Sequence, residues 1–340
     1  MFAYAYTFIA AFLVTFLLTP PVKKLAVAFG AVDRPDARKV HHGLVPRLGG
    51  LAIFAGFIVS VALTVGFDDP GMSGLCVGAS FLILVGILGD RYSLPPKVKL
   101  LGQIIAAAIF VVGYGIRVDW LKLPFMGYFY FPAPISVPLT IFWIIGFVNT
   151  VNLIDGLDGL AAGIAAIASI AISFLSFQMG QWICAAAMVA MAGSCLAFLQ
   201  YNFNPAKIFM GDTGSMLLGY IIAAVSVMGS MKTATVVVLI VPLVALSVPI
   251  MDTFMAIARR KQAGVPVFSP DKRHLHHRLL ALGLNQKEVV LIMYALTAFF
   301  CAAALVIVHL NPFVGVAVIF VALLAFLLWA RKLGVLSEGK

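Results

Sequence analysis

The chain predicts an all-α, polytopic membrane helix bundle of about 11 transmembrane helices, and three observations predict it. Of its 340 residues 63% are hydrophobic and only 11% are charged, where a soluble chain carries roughly 25% charged residues. Mean hydropathy is +1.09. The apolar residues come in repeated runs near the ~20 residues that cross a bilayer. A run in hydrocarbon must satisfy its own backbone hydrogen bonds, so each is expected to be a helix.

Taken in order, the spans fall near 2–19, 48–67, 73–89, 100–116, 135–151, 160–177, 181–200, 214–230, 234–257, 288–308 and 313–330. The first has no basic residue before it and no small-residue cleavage site, so it reads as a retained helix. The four cysteines (Cys76, Cys184, Cys195, Cys301) lie inside apolar runs without CxxC spacing and read as buried small hydrophobes. No internal repeat or low-complexity segment divides the chain, so 1–340 reads as one integral-membrane domain. Without a repeated pair of broken helices, an alternating-access transporter also loses its sequence signature.

Charge sets the orientation. Lys and Arg concentrate in the loops 20–47, 89–99, 201–213 and 258–287 and in the tail, while the alternate loops carry only Arg117, Lys122 and Lys232. The positive-inside bias makes the first set cytoplasmic, with the N-terminus outside and the C-terminus inside. The net charge of +10 therefore reads as membrane orientation, with no nucleic-acid partner implied. The cytoplasmic set, which includes 151–159, holds every polar motif. On the other side Asp68, Asp69 and Asp119 have no motif around them and read as solvated loop residues.

In the segment from Asn149 to Gly159 polar residues recur every three positions, at Asn149, Asn152, Asp155 and Asp158. If helical, they share one broad face. An ionised Asp in hydrocarbon costs about 2.5 kcal/mol or more, so these carboxylates need the membrane surface or a partner. Hard oxygen ligands suit Mg²⁺, which takes one or two carboxylates together with substrate phosphates; Mn²⁺ would serve the same set. Asn side chains suit a sugar, base or phosphate. Lys207 to Ser215 opens the eighth span, with Asp212 placed as N-cap and a helix start suited to a diphosphate.

Asp90 closes the third span on the same face, and Lys97 and Lys99 follow as cations for a lipid phosphate. Arg47, before Gly49-Gly50, is another candidate phosphate contact. His274, His276, His277 and Arg278 sit in the last large cytoplasmic loop. With no Cys nearby they suit anion contact better than zinc.

Together these motifs resemble the polyprenyl-phosphate N-acetylhexosamine-1-phosphate transferase family, from Asp33 to about Val290. The carriers are the acidic end of the third span, an Asn-x-x-Asn-x-x-Asp-Gly-x-Asp-Gly-Leu segment, Gly211-Asp212-Thr213-Gly214-Ser215, and the His-rich loop. His274-Leu275-His276-His277 and Val32-Asp33-Arg34-Pro35 resemble the branch that uses UDP-N-acetylglucosamine (UDP-GlcNAc) and undecaprenyl phosphate. The resemblance implies transfer of GlcNAc 1-phosphate between them, with release of UMP, at the cytoplasmic face of a bacterial plasma membrane.

It implies Asp212 as the direct Mg²⁺ ligand, with Asp155 and Asp158 around the metal or nucleotide, and Asp90 orienting or deprotonating the lipid phosphate. A homodimer is compatible with it. Another UDP-N-acetylhexosamine or UDP-MurNAc-pentapeptide is the alternative donor; an inactive relative or a lipid-binding membrane protein is the alternative class. One departure stands out: Gly89 occupies the place of the family's usual first Asp. On sequence alone, Gly89→Asp is expected to leave activity equal or higher.

Overall fold

The computed structural model describes residues 2–33, 44–123, 127–233, 237–262, 264 and 275–307. It is the all-α polytopic membrane protein expected, and eight of the described helices are long and apolar enough to cross a membrane. The eleventh expected span, 313–330, and residues 263 and 265–274 of the 258–287 loop lie outside the described residues.

The helices in the first half are α1 (Phe2–Phe29), α2 (Gly49–Thr64), α3 (Pro70–Tyr92), α4 (Pro96–Ala108) and α5 (Ala133–Ile154), with α4 continued by a π-helical turn at Ile109–Gly113. The second half has α6 (Leu160–Gln178), α7 (Trp182–Asn202), α8 (Gly211–Thr233), α9 (Val237–Ala245), α10 (Ser247–Gln262), α11 (Leu275–Ala281) and α12 (Gln286–Ile307). Two small antiparallel ribbons complete the described structure: β1 (Val32–Asp33) with β2 (Val45–Pro46), and β3 (Trp120–Leu123) with β4 (Gly127–Tyr130).

Several boundaries differ from the sequence expectation for identifiable reasons. α1 runs through Pro20 and Pro21 instead of stopping at 19. Pro20 has no N–H for the Phe16 carbonyl, which would ordinarily expose an acceptor. The Tyr201 hydroxyl of α7 donates to that carbonyl at 3.2 Å, so the helix can continue. The expected ninth span is two helices that part at Leu246. Pro249 cannot donate to the Ala245 carbonyl, where α9 ends. Asp69 is not merely a solvated loop residue: its carboxylate accepts the Met72 N–H at 3.0 Å and caps α3, with Pro70 in the first turn. All four cysteines are free and buried, as expected.

α8 is the axis of the bundle. Within its membrane window 94% of residues are buried, against 22% for the peripheral α1. α2, α3 and α5 pack directly against it. Lipid tails give helices no hydrophobic reason to associate, so close backbone approach at small residues matters most. A Cβ added at Gly50 would lie 2.1 Å from the Gly214 nitrogen, one at Gly86 2.4 Å from the Thr213 Cα, and one at Gly219 2.6 Å from the Phe147 carbonyl oxygen. These approaches bring the ends of four helices within hydrogen-bonding reach of one another.

Gly50→Ala should force α2 off α8, because the atom it meets belongs to the backbone and cannot rotate away. The expected cost is about 3 kcal/mol, read as a lower unfolding midpoint of the solubilised protein. Gly146→Ala, where an added Cβ meets nothing within 4 Å, should be neutral or stabilising in the same measurement. Equal losses for the two would contradict the packing argument.

Candidate active site

One end of the bundle gathers the polar residues. The segment after β2 runs beside the entry to α8: Phe209 N–H donates to the Pro46 carbonyl at 2.8 Å, and Gly49 and Gly50 N–H groups donate to the Phe209 and Met210 carbonyls at 3.0 Å each. This ladder sets Arg47 over the start of α8. Its Nη1 donates to Asp33 Oδ1 at 3.2 Å, and its Nε stands 3.6 Å from Asp90 Oδ1. Burial alone would lower the Arg47 guanidinium, but Asp90, Asp33, Asp212 and Asp155 together hold it above its ordinary value. It is a permanent cation, held by carboxylates rather than waiting free for a phosphate.

Asp90 occupies the centre of this arrangement. It sits at the end of α3 with no side-chain exposure. Oδ1 accepts the Asp212 N–H at 2.8 Å; Oδ2 accepts the Thr213 N–H at 3.0 Å and the Thr213 hydroxyl at 2.5 Å. The first amides of a helix have no partner within it, and here a carboxylate from another helix supplies one. The expectation that Asp212 is the N-cap is therefore corrected. α8 starts at Gly211, with φ +72°, and Asp212 lies in its first turn. A side chain at Gly211 would strike the Asp90 carboxylate at 2.4 Å. Asp90 has both oxygens engaged, so its geometry suits aiming Asp212 rather than taking a proton from a lipid phosphate.

Asp212 is held from two further sides. Asn152 Nδ2 donates to its Oδ1 at 3.1 Å and to Ser215 Oγ at 2.8 Å. Lys99 Nζ forms an ion pair with its Oδ2. Lys99 thus faces Asp212, while Lys97 stands exposed in the first turn of α4. One turn beyond Lys99, Gln103 exchanges amide hydrogen bonds with Asn149, at 2.8 Å from Asn149 Nδ2 and 3.4 Å to Asn149 Oδ1. Sequence reasoning missed Gln103. Its signal was a polar residue four positions after Lys99 inside an apolar run.

Helical spacing holds only for the first part of the Asn/Asp segment. α5 ends at Ile154, with Asp155 at its C-cap, so Asp158 lies beyond the helix. Asp158 Oδ2 accepts Asn204 Nδ2 at 2.9 Å and the Ala206 N–H at 3.0 Å, which anchors the loop before α8. Next to it Gly159, at φ +80°, receives Asn202 Oδ1 on its N–H at 3.0 Å and the Tyr294 hydroxyl on its carbonyl at 2.6 Å. Asn202, Asn204 and Tyr294 were not singled out in the sequence either, since their function depends on partners far along the chain.

Asp155 differs from its neighbours. It is half-buried and makes no hydrogen bond or close ion pair among the described residues. Burial is the largest influence on its carboxyl; Arg47 opposes it, but Asp90, Asp212 and Asp158 add to it, and the group is pushed up to about 7. Excess negative charge around an unpaired carboxylate is the condition a cation would relieve. Among the described residues no group of three or more metal-type side chains converges. A cation here would take one or two carboxylates and complete its shell with water and substrate phosphate, which is how Mg²⁺ is usually held.

Of the remaining sequence candidates, His276, His277 and Arg278 belong to α11, where Arg278 is half-buried and the two imidazoles are outside the described side chains. His274 lies outside the described residues.

Residues 72–230 match the family described as Glycosyl transferase family 4. The chain is 39% identical over 331 residues to the probable undecaprenyl-phosphate N-acetylglucosaminyl 1-phosphate transferase of Bacillus subtilis (strain 168), covering 97% of this chain and 92% of that one. It is 36% identical over 332 residues to a decaprenyl-phosphate N-acetylglucosaminephosphotransferase of Mycobacterium tuberculosis, covering 89% and 82%. It is 29% identical over 331 residues to an undecaprenyl-phosphate alpha-N-acetylglucosaminyl 1-phosphate transferase of Salmonella typhi, covering 94% and 88%.

Two substitutions test this geometry. Asp90→Ala strands the Asp212 and Thr213 donors in a buried site and should cost about 2–5 kcal/mol; Asp90→Asn keeps one acceptor oxygen for part of that set and should cost less in the same unfolding assay. The structure supplies a contrary expectation for Gly89. A Cβ there would stand 2.9 Å from Asp212 Oδ2 and 3.6 Å from Lys99 Cε, so any side chain must displace a carboxylate that Asn152 and Lys99 hold. Gly89→Asp should lower turnover about tenfold or more, the scale of loss expected from misplacing a reacting centre. Wild-type turnover would return Gly89 to the status of a neutral departure.

Proposed function

From the premise that this chain belongs to the polyprenyl-phosphate N-acetylhexosamine-1-phosphate transferase family, and is a multi-pass phosphoglycosyl transferase, we propose that it transfers GlcNAc 1-phosphate from UDP-GlcNAc to undecaprenyl phosphate. The products are undecaprenyl-diphosphate-GlcNAc and UMP. The observation that carries the reading is the polar cluster where α3, α4, α5 and α8 meet at one end of an apolar bundle. A lipid phosphate and a soluble nucleotide sugar can meet only at such a boundary. The concentration of Lys and Arg at this end supports its facing the cytoplasm of a bacterial cell.

An oxygen of the lipid phosphate attacks the sugar-bearing β-phosphorus, and the bond from that phosphorus to UMP breaks. The nucleophile is a phosphate monoester with a second pKa near 6, by analogy with other monoesters. It is largely dianionic at neutral pH, and a general base is not required. This agrees with Asp90 being committed to the start of α8. Both reactants are anionic, so the chain's task is positioning and charge compensation. Arg47 and Lys99 keep Asp90 and Asp212 in place. Asp212 and the unpaired Asp155 are the residues that would hold Mg²⁺, which when bound would neutralise charge on the donor diphosphate. His274, His276, His277 and Arg278 are assigned to the diphosphate and sugar, and Lys97 to the lipid phosphate.

Purified enzyme should release UMP from UDP-GlcNAc only with polyprenyl phosphate and a divalent cation present. Asp212→Asn should abolish that release while the protein remains folded; near-normal turnover would remove Asp212 from the metal assignment. A panel of UDP-sugars reads donor choice, and a stronger response to UDP-MurNAc-pentapeptide would overturn the GlcNAc reading.

pH supplies an independent check. Asp155 ionises as pH rises through about 7, and a metal ligand must be deprotonated. Apparent Mg²⁺ affinity should be about tenfold weaker at pH 6 than at pH 8. A raised carboxyl favours the folded chain below its unfolded pKa and loses that advantage as pH climbs to 7. Mg²⁺ should therefore raise the unfolding midpoint more at pH 8 than at pH 6. Asp155→Asn should flatten both dependences.

A further inference from the structure

Asp252 is a carboxylate that the reaction, as described, does not use. It lies in the middle of α10 and is 3% exposed. Its Oδ1 accepts the backbone N–H of Leu275 at 3.0 Å. Leu275 is the first residue of α11 and follows His274 directly, so its amide is one of those with no partner inside the helix.

α11 has only seven residues, far below the length at which an isolated helix is stable. Two of its anchors are described. One is apolar: Leu275 and Leu279, one turn apart, are both buried, and the helix packs on α12. The other is the Asp252 carboxylate. α10 in turn packs on α5, the helix that carries Asn149 and Asn152 and ends at Asp155. A continuous series of packed elements therefore joins the carboxylate cluster to α11, and Asp252 is a polar link in that series.

We propose that Asp252 is a positioning residue for nucleotide-sugar binding. Its hydrogen bond to Leu275 fixes where the start of α11, Leu275 to Arg278, stands relative to Asp155 and Asp212. The bond to Leu275 needs an acceptor oxygen, which the neutral amide of Asn also supplies. The kinetic consequence rests on the functional reading above; the structural consequence does not.

The test uses the full chain in nanodiscs, as wild type, Asp252→Ala, Asp252→Leu and Asp252→Asn, with two readouts. Backbone hydrogen exchange across 275–281 should rise about tenfold in the Ala and Leu variants, the equivalent of one net hydrogen bond. Exchange in α3, α5 and α8 should stay unchanged. In turnover assays the same two variants should raise KM for UDP-GlcNAc about tenfold with kcat within about twofold. Asp252→Asn should stay near wild type in both readouts. Asp252→Leu fills the buried volume and stands in if the Ala variant does not fold.

Unchanged exchange in the Ala or Leu variant overturns the proposal. So does an Asn variant that behaves like Ala, or a rise in exchange spread across the whole bundle. If wild-type protein transfers nothing from UDP-GlcNAc, the functional reading fails while the exchange experiment still decides the role of Asp252.

Discussion

The hydrogen bonds from the first amides of α8 to Asp90 are the contact on which the rest of this site depends. An ionised carboxylate at the end of an apolar helix is costly unless it is paired and hydrogen-bonded. Asp90 meets both conditions, with three donors from Asp212 and Thr213 and the Arg47 guanidinium nearby. The positive end of the α8 dipole adds to this. In return the carboxylate locks α3 to α8 and fixes the direction in which Asp212 leaves the helix. Lys99 and Asn152 then complete the position of Asp212 from α4 and α5. One buried anion thus organises contributions from distant parts of the chain.

That arrangement requires backbones to approach more closely than side chains ordinarily permit. Gly50, Gly86 and Gly219 each face backbone atoms at distances no Cβ could share. Gly211 lets the chain turn into α8 directly under the Asp90 carboxylate. Gly89 belongs to the same logic. As a departure from a motif it looked like a loss; in the folded protein Asp212 Oδ2 lies 2.9 Å from where a Cβ would stand.

The residues expected to touch substrate divide into two groups once their partners are known. Asn149, Asn152, Asp90 and Asp158 hydrogen-bond to Gln103, Asp212, the α8 amides and the loop at 204–206. They build the frame. Asp155 has no such partner among the described residues, and burial, with its neighbours' negative charge adding to it, keeps its carboxyl reluctant to ionise. The frame therefore leaves one carboxylate in need of a cation, next to another whose position is rigidly determined. Catalysis of a reaction between two anions needs this kind of preorganised charge more than it needs a proton acceptor.

The amino-acid sequence by itself determined the helical membrane architecture, the family, and the collection of polar motifs in one set of loops. Those properties follow from local hydropathy and from charge counted along the chain, and the solvent that a span meets dictates them. It also showed which residues share a helix face, as with Asn149 and Asn152. What only the tertiary structure decided was pairing. Asp90 as the cap of α8, Lys99 on Asp212, Gln103 on Asn149, Asp158 on Ala206 and Tyr201 on the Phe16 carbonyl all join positions far apart in the chain. Spacing reports direction from one axis. Whether a carboxylate is occupied or free depends on how several axes cross, and that is set by the packing of small residues between helices rather than by any one segment.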